Sequence, residues 1–227
     1  MIPILQTEQG AALRAHLDTH RVIAIVRADA VADPVGLAAG LSDAGIGSLE
    51  FTLTTPGALE SIAAVAEGAP DRCRVGVGTV VDPAQVAPAV EAGAGFVVTP
   101  APLPSTPEIA AECRRLGIGL IAGAMTPGEI VTAAALADLV KIFPARSLGP
   151  RYLSDVLAPL EGLALVPSGG IALDEVADYL AAGAAAVGVG SLMESSALRT
   201  GDHAVIFERA RRLMESLAVG GRDIDGG

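Results

Sequence analysis

The chain has 227 residues, enough for one sizeable core and short for two. With 51% hydrophobic against 18% charged residues it lies outside the disordered class, and an aromatic share of 3% with no Trp argues against single-stranded nucleic acid, which is bound on stacking platforms. A formal net charge of −11 disfavours nucleic acid and anionic membrane as partners, so an anionic substrate must be held by local groups against the overall field.

In chain order, a helix over Glu8–His20 comes first, and then short apolar runs alternate with Ala-rich, helix-length segments. The strands are expected at Val22–Val26, Ser48–Thr52, Val75–Gly78, Gly95–Thr99, Ile118–Ala122, Leu139–Phe143, Leu163–Pro167 and Ala186–Val189. Between them, helices are expected at Asp33–Ala44, Pro56–Glu67, Pro83–Ala92, Thr106–Leu116, Pro127–Ala137, Pro150–Leu157 and Leu173–Ala182. Several begin with Pro in the first turn, where its missing N–H costs nothing. A last helix over Asp202–Leu217 precedes a Gly-rich tail, Gly220–Gly227, expected to be mobile.

Eight βα units in a chain of this length predict an α/β fold, a (β/α)₈ TIM barrel with an extra N-terminal helix, forming a single domain over residues 1–227. The rival is an open doubly-wound sheet, which calls for a Gly-rich turn after the first strand; VIAIVRADA has none. MIPILQTEQG lacks a signal pattern and no window has the apolar length of a membrane span, which predicts a cytoplasmic protein.

Of 15 basic residues only one is lysine, Lys141, and it sits in the apolar strand LVKIF. Arg replaces Lys as a cation but not as a nucleophile, because guanidinium keeps its proton; lysine offers an amine that desolvation can keep uncharged. The bland alternative is a side chain snorkelling from a strand end or paired with a carboxylate for stability. Glu50, between Leu49 and Phe51 in SLEFT, alternates into the barrel and is the candidate proton shuttle; it could instead, or also, pair with Arg27.

Ser168, Gly169 and Gly170 after the seventh strand, with Gly190 and Ser191 after the eighth, are the candidate phosphate cradle, unless they are merely short turns. Arg27 offers a forked contact to a carboxylate, Thr79 a hydroxyl, and Pro100 and Phe143 complete the substrate-contact candidates at strand ends. No metal site is expected: His16, His20 and His203 fall in the first and last helices, and Cys73 and Cys113 are placed neither as ligands nor as nucleophiles.

The segments LEFTLTTPGALE, VGVGTV, FVVTPAP, IAGAMTPGEI, LVKIFPA and PSGGI, in this order from Val22 to Met193, resemble the 2-keto-3-deoxy-6-phosphogluconate aldolase family, which includes phosphogalactonate and 4-hydroxy-2-oxoglutarate aldolases. The resemblance implies a metal-free class I lyase, commonly a homotrimer. It makes pyruvate and glyceraldehyde 3-phosphate from a keto acid phosphate, with no cofactor beyond the Schiff base itself. It implies Lys141 as the Schiff-base lysine and Glu50 as general acid/base. Arg27, Thr79 and Pro100 fall on substrate positions, and Gly169, Gly170 and Ser191 on the phosphate site. The chain departs from many phosphogluconate-type members at Thr54, where they carry Arg, and at Ala101, where they carry Gly; Ser147–Leu153 is closer to the phosphogalactonate branch. The C4 configuration and the need for a phosphate stay open, as do a 4-hydroxy-2-oxoglutarate aldolase, a phosphate-binding barrel isomerase or synthase, and a non-enzymatic binding protein.

Overall fold

A computed structural model describes residues 4, 5 and 7–220. The element order is α1 (Glu8–His20), β1 (Val22–Val26), α2 (Pro34–Asp43), β2 (Ser48–Thr52), α3 (Ala58–Gly68), β3 (Arg74–Gly78), α4 (Val86–Glu91), β4 (Phe96–Val98) and α5 (Thr106–Leu116). It continues with β5 (Gly119–Ala124), α6 (Pro127–Ala134), β6 (Leu139–Ile142), α7 (Gly149–Leu157), β7 (Leu165–Pro167), α8 (Val176–Ala181), β8 (Val187–Val189), α9 (Ser195–Thr200) and α10 (Ala204–Gly220). The strands run parallel in the order β7-β6-β5-β4-β3-β2-β1-β8, and the Ser168–Gly188 bridge joins the two ends, so the sheet closes as the expected (β/α)₈ barrel.

Boundaries moved where backbone chemistry outweighed hydrophobic pattern. The segments after β3 and β7 open as 3₁₀ turns, Pro83–Gln85 and Leu173–Glu175, before becoming helical. Capping fixes other starts: Thr7 accepts from Gly10 N, and Thr126 with Glu129 forms a capping box on α6. The short helix α9 was not expected; Glu194 caps it through Ser196 N and Ala197 N. The last helix begins at Ala204, so His203 precedes it and packs beside the backbone of Ala32 and the Asp33 carboxylate, on the loop after β1. Of the tail expected to be mobile, residues 221–227 lie outside the described residues, and Gly220 ends α10.

Alternation within strands sorts side chains into two cores. Val22, Ala24, Val26, Leu49 and Phe51 face the surrounding helices. Ile23, Phe96, Val98, Ile121, Leu139, Val166 and Ala186 fill the barrel, and Leu13 and Leu17 of α1 plug its N-terminal end. Among the described residues no helix is long and apolar enough to cross a membrane.

The plug is fastened by one buried carboxylate. Asp138 accepts from Thr7 Oγ1 at 2.6 Å and from Leu120 N at 2.9 Å, while Arg14 donates twice to the Asp138 carbonyl. A Cβ on Gly10 would stand 1.9 Å from Asp138 Oδ1, which accounts for a glycine inside α1 despite its cost to a helix. Asp138→Ala leaves the buried Leu120 N–H without its acceptor. It is expected to lower the unfolding free energy by about 2–3 kcal/mol and Tm by roughly 4–10 °C, measured by calorimetry.

Candidate active site

Lys141 and Glu50 meet inside the barrel. Lys141 lies on β6 in register with Gly123 and Val166; Glu50 lies on β2 in register with Ile25 and Gly76. Lys141 Nζ is 3.9 Å from Glu50 Oε1, with side-chain exposures of 8% and 3%. That separation admits Coulombic attraction and is too long for a hydrogen bond. Glu50 Oε1 is buried without a hydrogen-bond partner, so this oxygen is available to accept or deliver a proton. The Phe143 ring centroid lies 5.6 Å from Nζ, within cation–π range, and the ring is partly open to solvent at the mouth.

Room for the Glu50 carboxylate comes from a neighbour without a side chain. A Cβ on Gly78 would lie 1.9 Å from Glu50 Oε1, so the carboxylate occupies the space the third strand leaves empty. Gly123 is bracketed in a different way: its N–H donates to Thr99 Oγ1 at 2.9 Å, and an added Cβ would stand 2.7 Å from the Pro100 carbonyl carbon. Pro100 therefore follows β4 directly over β5.

Arg27 extends from the end of β1 and donates to Thr79 Oγ1 at 3.3 Å; among the described residues it forms no ion pair with Glu50. Thr79 adopts φ 62°, a backbone conformation that costs a β-branched residue of order 1–3 kcal/mol. Strain of this kind gathers at functional sites, and neither composition nor spacing announces it. Thr52 and Thr55, also unannounced, are buried and tie β2 to β1: both donate to Val26 O, at 3.3 and 3.4 Å, and Ala28 N donates to Thr55 Oγ1. Thr54 sits 3.0 Å from Thr52 Oγ1 at the exposed edge of this cluster.

The glycine turns behave unequally. Gly169 and Gly170 have φ 95° and 75°, a conformation in which only glycine is at ease, and they sit at the rim with Gly190 and Ser191. Ser191 Oγ donates to Ile171 O at 2.8 Å, linking the turn after β8 to that after β7. Ser168, expected in the same cradle, is buried at 2% exposure with its side chain against Gly188, where it closes the barrel wall. The loop after β6 is laced to the turn: Ala145 N donates to Ser168 O and Arg146 N to Gly169 O.

The remaining nucleophiles and ligands stand apart. Burial pushes the Cys73 thiol up to about 11 and the Cys113 thiol up to about 12, so neither supplies a thiolate near neutrality. His16 lies in α1, where its Nε2 is 2.9 Å from Gly47 O. Among the described residues no group of three or more His, Cys, Asp or Glu side chains converges as a metal site.

A family model described as KDPG and KHG aldolase matches residues 13–209. The 2-dehydro-3-deoxy-phosphogluconate aldolase of Treponema pallidum is 33% identical over 206 residues, covering 89% of this chain and 96% of that protein. The 2-dehydro-3-deoxy-6-phosphogalactonate aldolase of Escherichia coli K12 is 31% identical, over 84% of this chain and 94% of that one. Among solved structures, the KDPG aldolase of Legionella pneumophila, with pyruvate captured as a covalent carbinolamine, superposes with a TM-score of 0.80 at 26% identity, covering 92% of this chain and 99% of that one.

Gly78→Ala forces a methyl group into the space held by the Glu50 carboxylate. A crystal structure of that variant is expected to show the Lys141–Glu50 separation lengthened beyond its present 3.9 Å; an unchanged separation would mean that the backbone of β3 yields instead.

Proposed function

Because the chain belongs to the KDPG and KHG aldolase family, we propose that Lys141 and Glu50 carry out its class I cleavage of a 2-keto-3-deoxy-6-phospho sugar acid to pyruvate and glyceraldehyde 3-phosphate. The observation that carries this assignment is the buried amine 3.9 Å from a carboxylate oxygen with no other partner. An amine so placed can add to a carbonyl carbon while the adjacent carboxylate reaches the oxygen on that carbon.

In the uncharged form, Lys141 Nζ attacks the C2 ketone. The nitrogen loses a proton, the former carbonyl oxygen gains one, and a carbinolamine forms. Glu50 protonates the hydroxyl as it leaves as water, giving an iminium. The carboxylate then accepts the proton of the C4 hydroxyl; the C3–C4 bond breaks, C4 becomes the aldehyde carbon, and the electron pair moves through C3 into the iminium. The enamine is protonated at C3, water adds to the regenerated iminium, and pyruvate leaves as Nζ is restored. The iminium is the electron sink throughout, so one difficult cleavage is divided into easier steps.

Around that centre, Arg27 with Thr79 is suited to the C1 carboxylate, since Arg presents a planar fork of donors and the threonine hydroxyl holds it in place. Phe143 and Pro100 form apolar walls. Gly169, Gly170, Gly190 and Ser191 offer close backbone approach to the distal phosphate. Ser168 acts beneath them by shaping the wall. The same reading assigns the protein to the cytoplasm and to a homotrimer. Exposed Val81 and Met125 near the mouth supply apolar surface for such contacts. Analytical ultracentrifugation is expected to return three times the 22.7 kDa chain mass; a monomer at micromolar concentration would remove the trimer.

Borohydride reduction in the presence of pyruvate is expected to leave one stable adduct, on Lys141, located by peptide mass spectrometry. No adduct under conditions that label a control aldolase would overturn the assignment. Lys141→Arg should reduce turnover to background with the fold intact by circular dichroism. For Glu50→Gln, turnover is expected to fall roughly a hundredfold to ten-thousandfold, with adduct formation slowed; an unchanged rate would move the proton shuttle to another group.

A further inference from the structure

The eight loops that follow the strands form the mouth of the barrel, and they contain two cationic side chains, Arg27 after β1 and Arg146 after β6. Arg27 has a partner in Thr79, whereas the exposed Arg146 has no ion pair and no side-chain hydrogen bond among the described residues. The carboxylates on the same loops are largely occupied elsewhere: Asp33, Asp82 and Glu194 cap helix starts. In a chain of net charge −11, an arginine left free at a strand-end loop needs a reason.

Its backbone is held firmly. Arg146 lies in the 3₁₀ turn Ala145–Ser147, where Ala145 N and Arg146 N donate to Ser168 O and Gly169 O at 2.8 and 3.1 Å, and Tyr179 donates from below to Ala145 O. The aliphatic stem lies on the glycine turn. A Cβ on Gly170 would stand 2.8 Å from Arg146 Cδ and 3.1 Å from its Cβ. A Cβ on Gly169 would meet the Phe143 ring at 2.6 Å. Phe143 and Arg146 thus flank consecutive glycines of one turn, with the guanidinium carried beyond Gly170 towards solvent.

We infer that Arg146 is a specificity-determining residue that pairs with the distal phosphate of the substrate and selects phosphorylated over unphosphorylated keto acids. This rests on the aldolase reading above and extends it. The substrate has two anionic ends and the mouth has two arginines, one following β1, the neighbour of the strand that carries Glu50, and one following β6, the strand that carries Lys141. Arg27 serves the carboxylate next to the reacting ketone. Arg146 serves the far end, where backbone amides alone would have to hold a dianion against the field of an acidic protein. Planar guanidinium is suited to that contact because two of its N–H groups can engage two phosphate oxygens.

The test compares kcat/KM for a 6-phosphorylated 2-keto-3-deoxy sugar acid with that for its unphosphorylated counterpart, in the wild type, Arg146→Met and Arg146→Lys. Methionine keeps an aliphatic stem against Gly170, so lost charge is separated from lost packing. The preference for the phosphorylated substrate is expected to fall roughly tenfold to a hundredfold in Arg146→Met, with part retained in Arg146→Lys. The inhibition constant of inorganic phosphate against the phosphorylated substrate should rise by a similar factor, which gives a readout even where unphosphorylated turnover is too slow to measure. A preference and a phosphate inhibition constant both within about twofold of wild type overturn the role of Arg146. Pyruvate lacks the distal phosphate, so borohydride trapping of the wild type tests the underlying reading separately. An adduct with unaltered preference removes Arg146 alone, and no adduct removes both.

Discussion

An amine and a carboxylate can face each other inside a closed eight-stranded barrel only where other strands surrender volume to them. The interior is otherwise filled by branched and aromatic side chains such as Ile23, Phe96, Ile121 and Val166, packed as densely as any core. Glu50 occupies the space above Gly78, and Lys141 lies in register with Gly123. Gly78 of VGVG is therefore as much a part of this arrangement as the two side chains themselves, while Gly123 of IAGA yields its space to the backbone of Pro100 and Ala101. The cylinder thereby holds an amine from β6 and a carboxylate from β2 with 3.9 Å between them.

The same constraint explains how much could be read before any coordinates. Period-two alternation in SLEFT places Glu50 inward and Leu49 and Phe51 outward, and the two cores divide along that line. The barrel was legible for a related reason: eight apolar runs separated by helix-length segments leave few ways to bury both faces of a parallel sheet. Lys141 stood out because a chain that uses arginine for every other cation keeps one lysine in its greasiest strand. These signals are local and depend on period and residue type.

What stayed hidden depends on contacts distant in sequence. Ser168 and the neighbouring glycines look alike as a turn, yet Ser168 turns inward to bridge Gly188 and the glycines turn outward to the rim. Residue type alone could not divide them, because the division follows from where the seventh and eighth strands meet at the closing seam. The left-handed backbone of Thr79 and the hydroxyl ties of Thr52 and Thr55 to Val26 O likewise arise from the meeting of three strand ends. The helix at Ser195–Thr200 is six residues long, too short for amphipathic periodicity to register, and its start is set by the Glu194 cap.

The first helix has a consequence for the order of events. With Leu13 and Leu17 seated under the strands and Asp138 bolting them there, the cylinder is a vessel stoppered at its base. Reactant, departing aldehyde and incoming water must all use one doorway. In the proposed reaction the fragment not bonded to the protein can leave at once, whereas the bonded one is freed only when water has entered by the same way. The covalent bond sets the sequence of release, and the stoppered base gives both products the same route out.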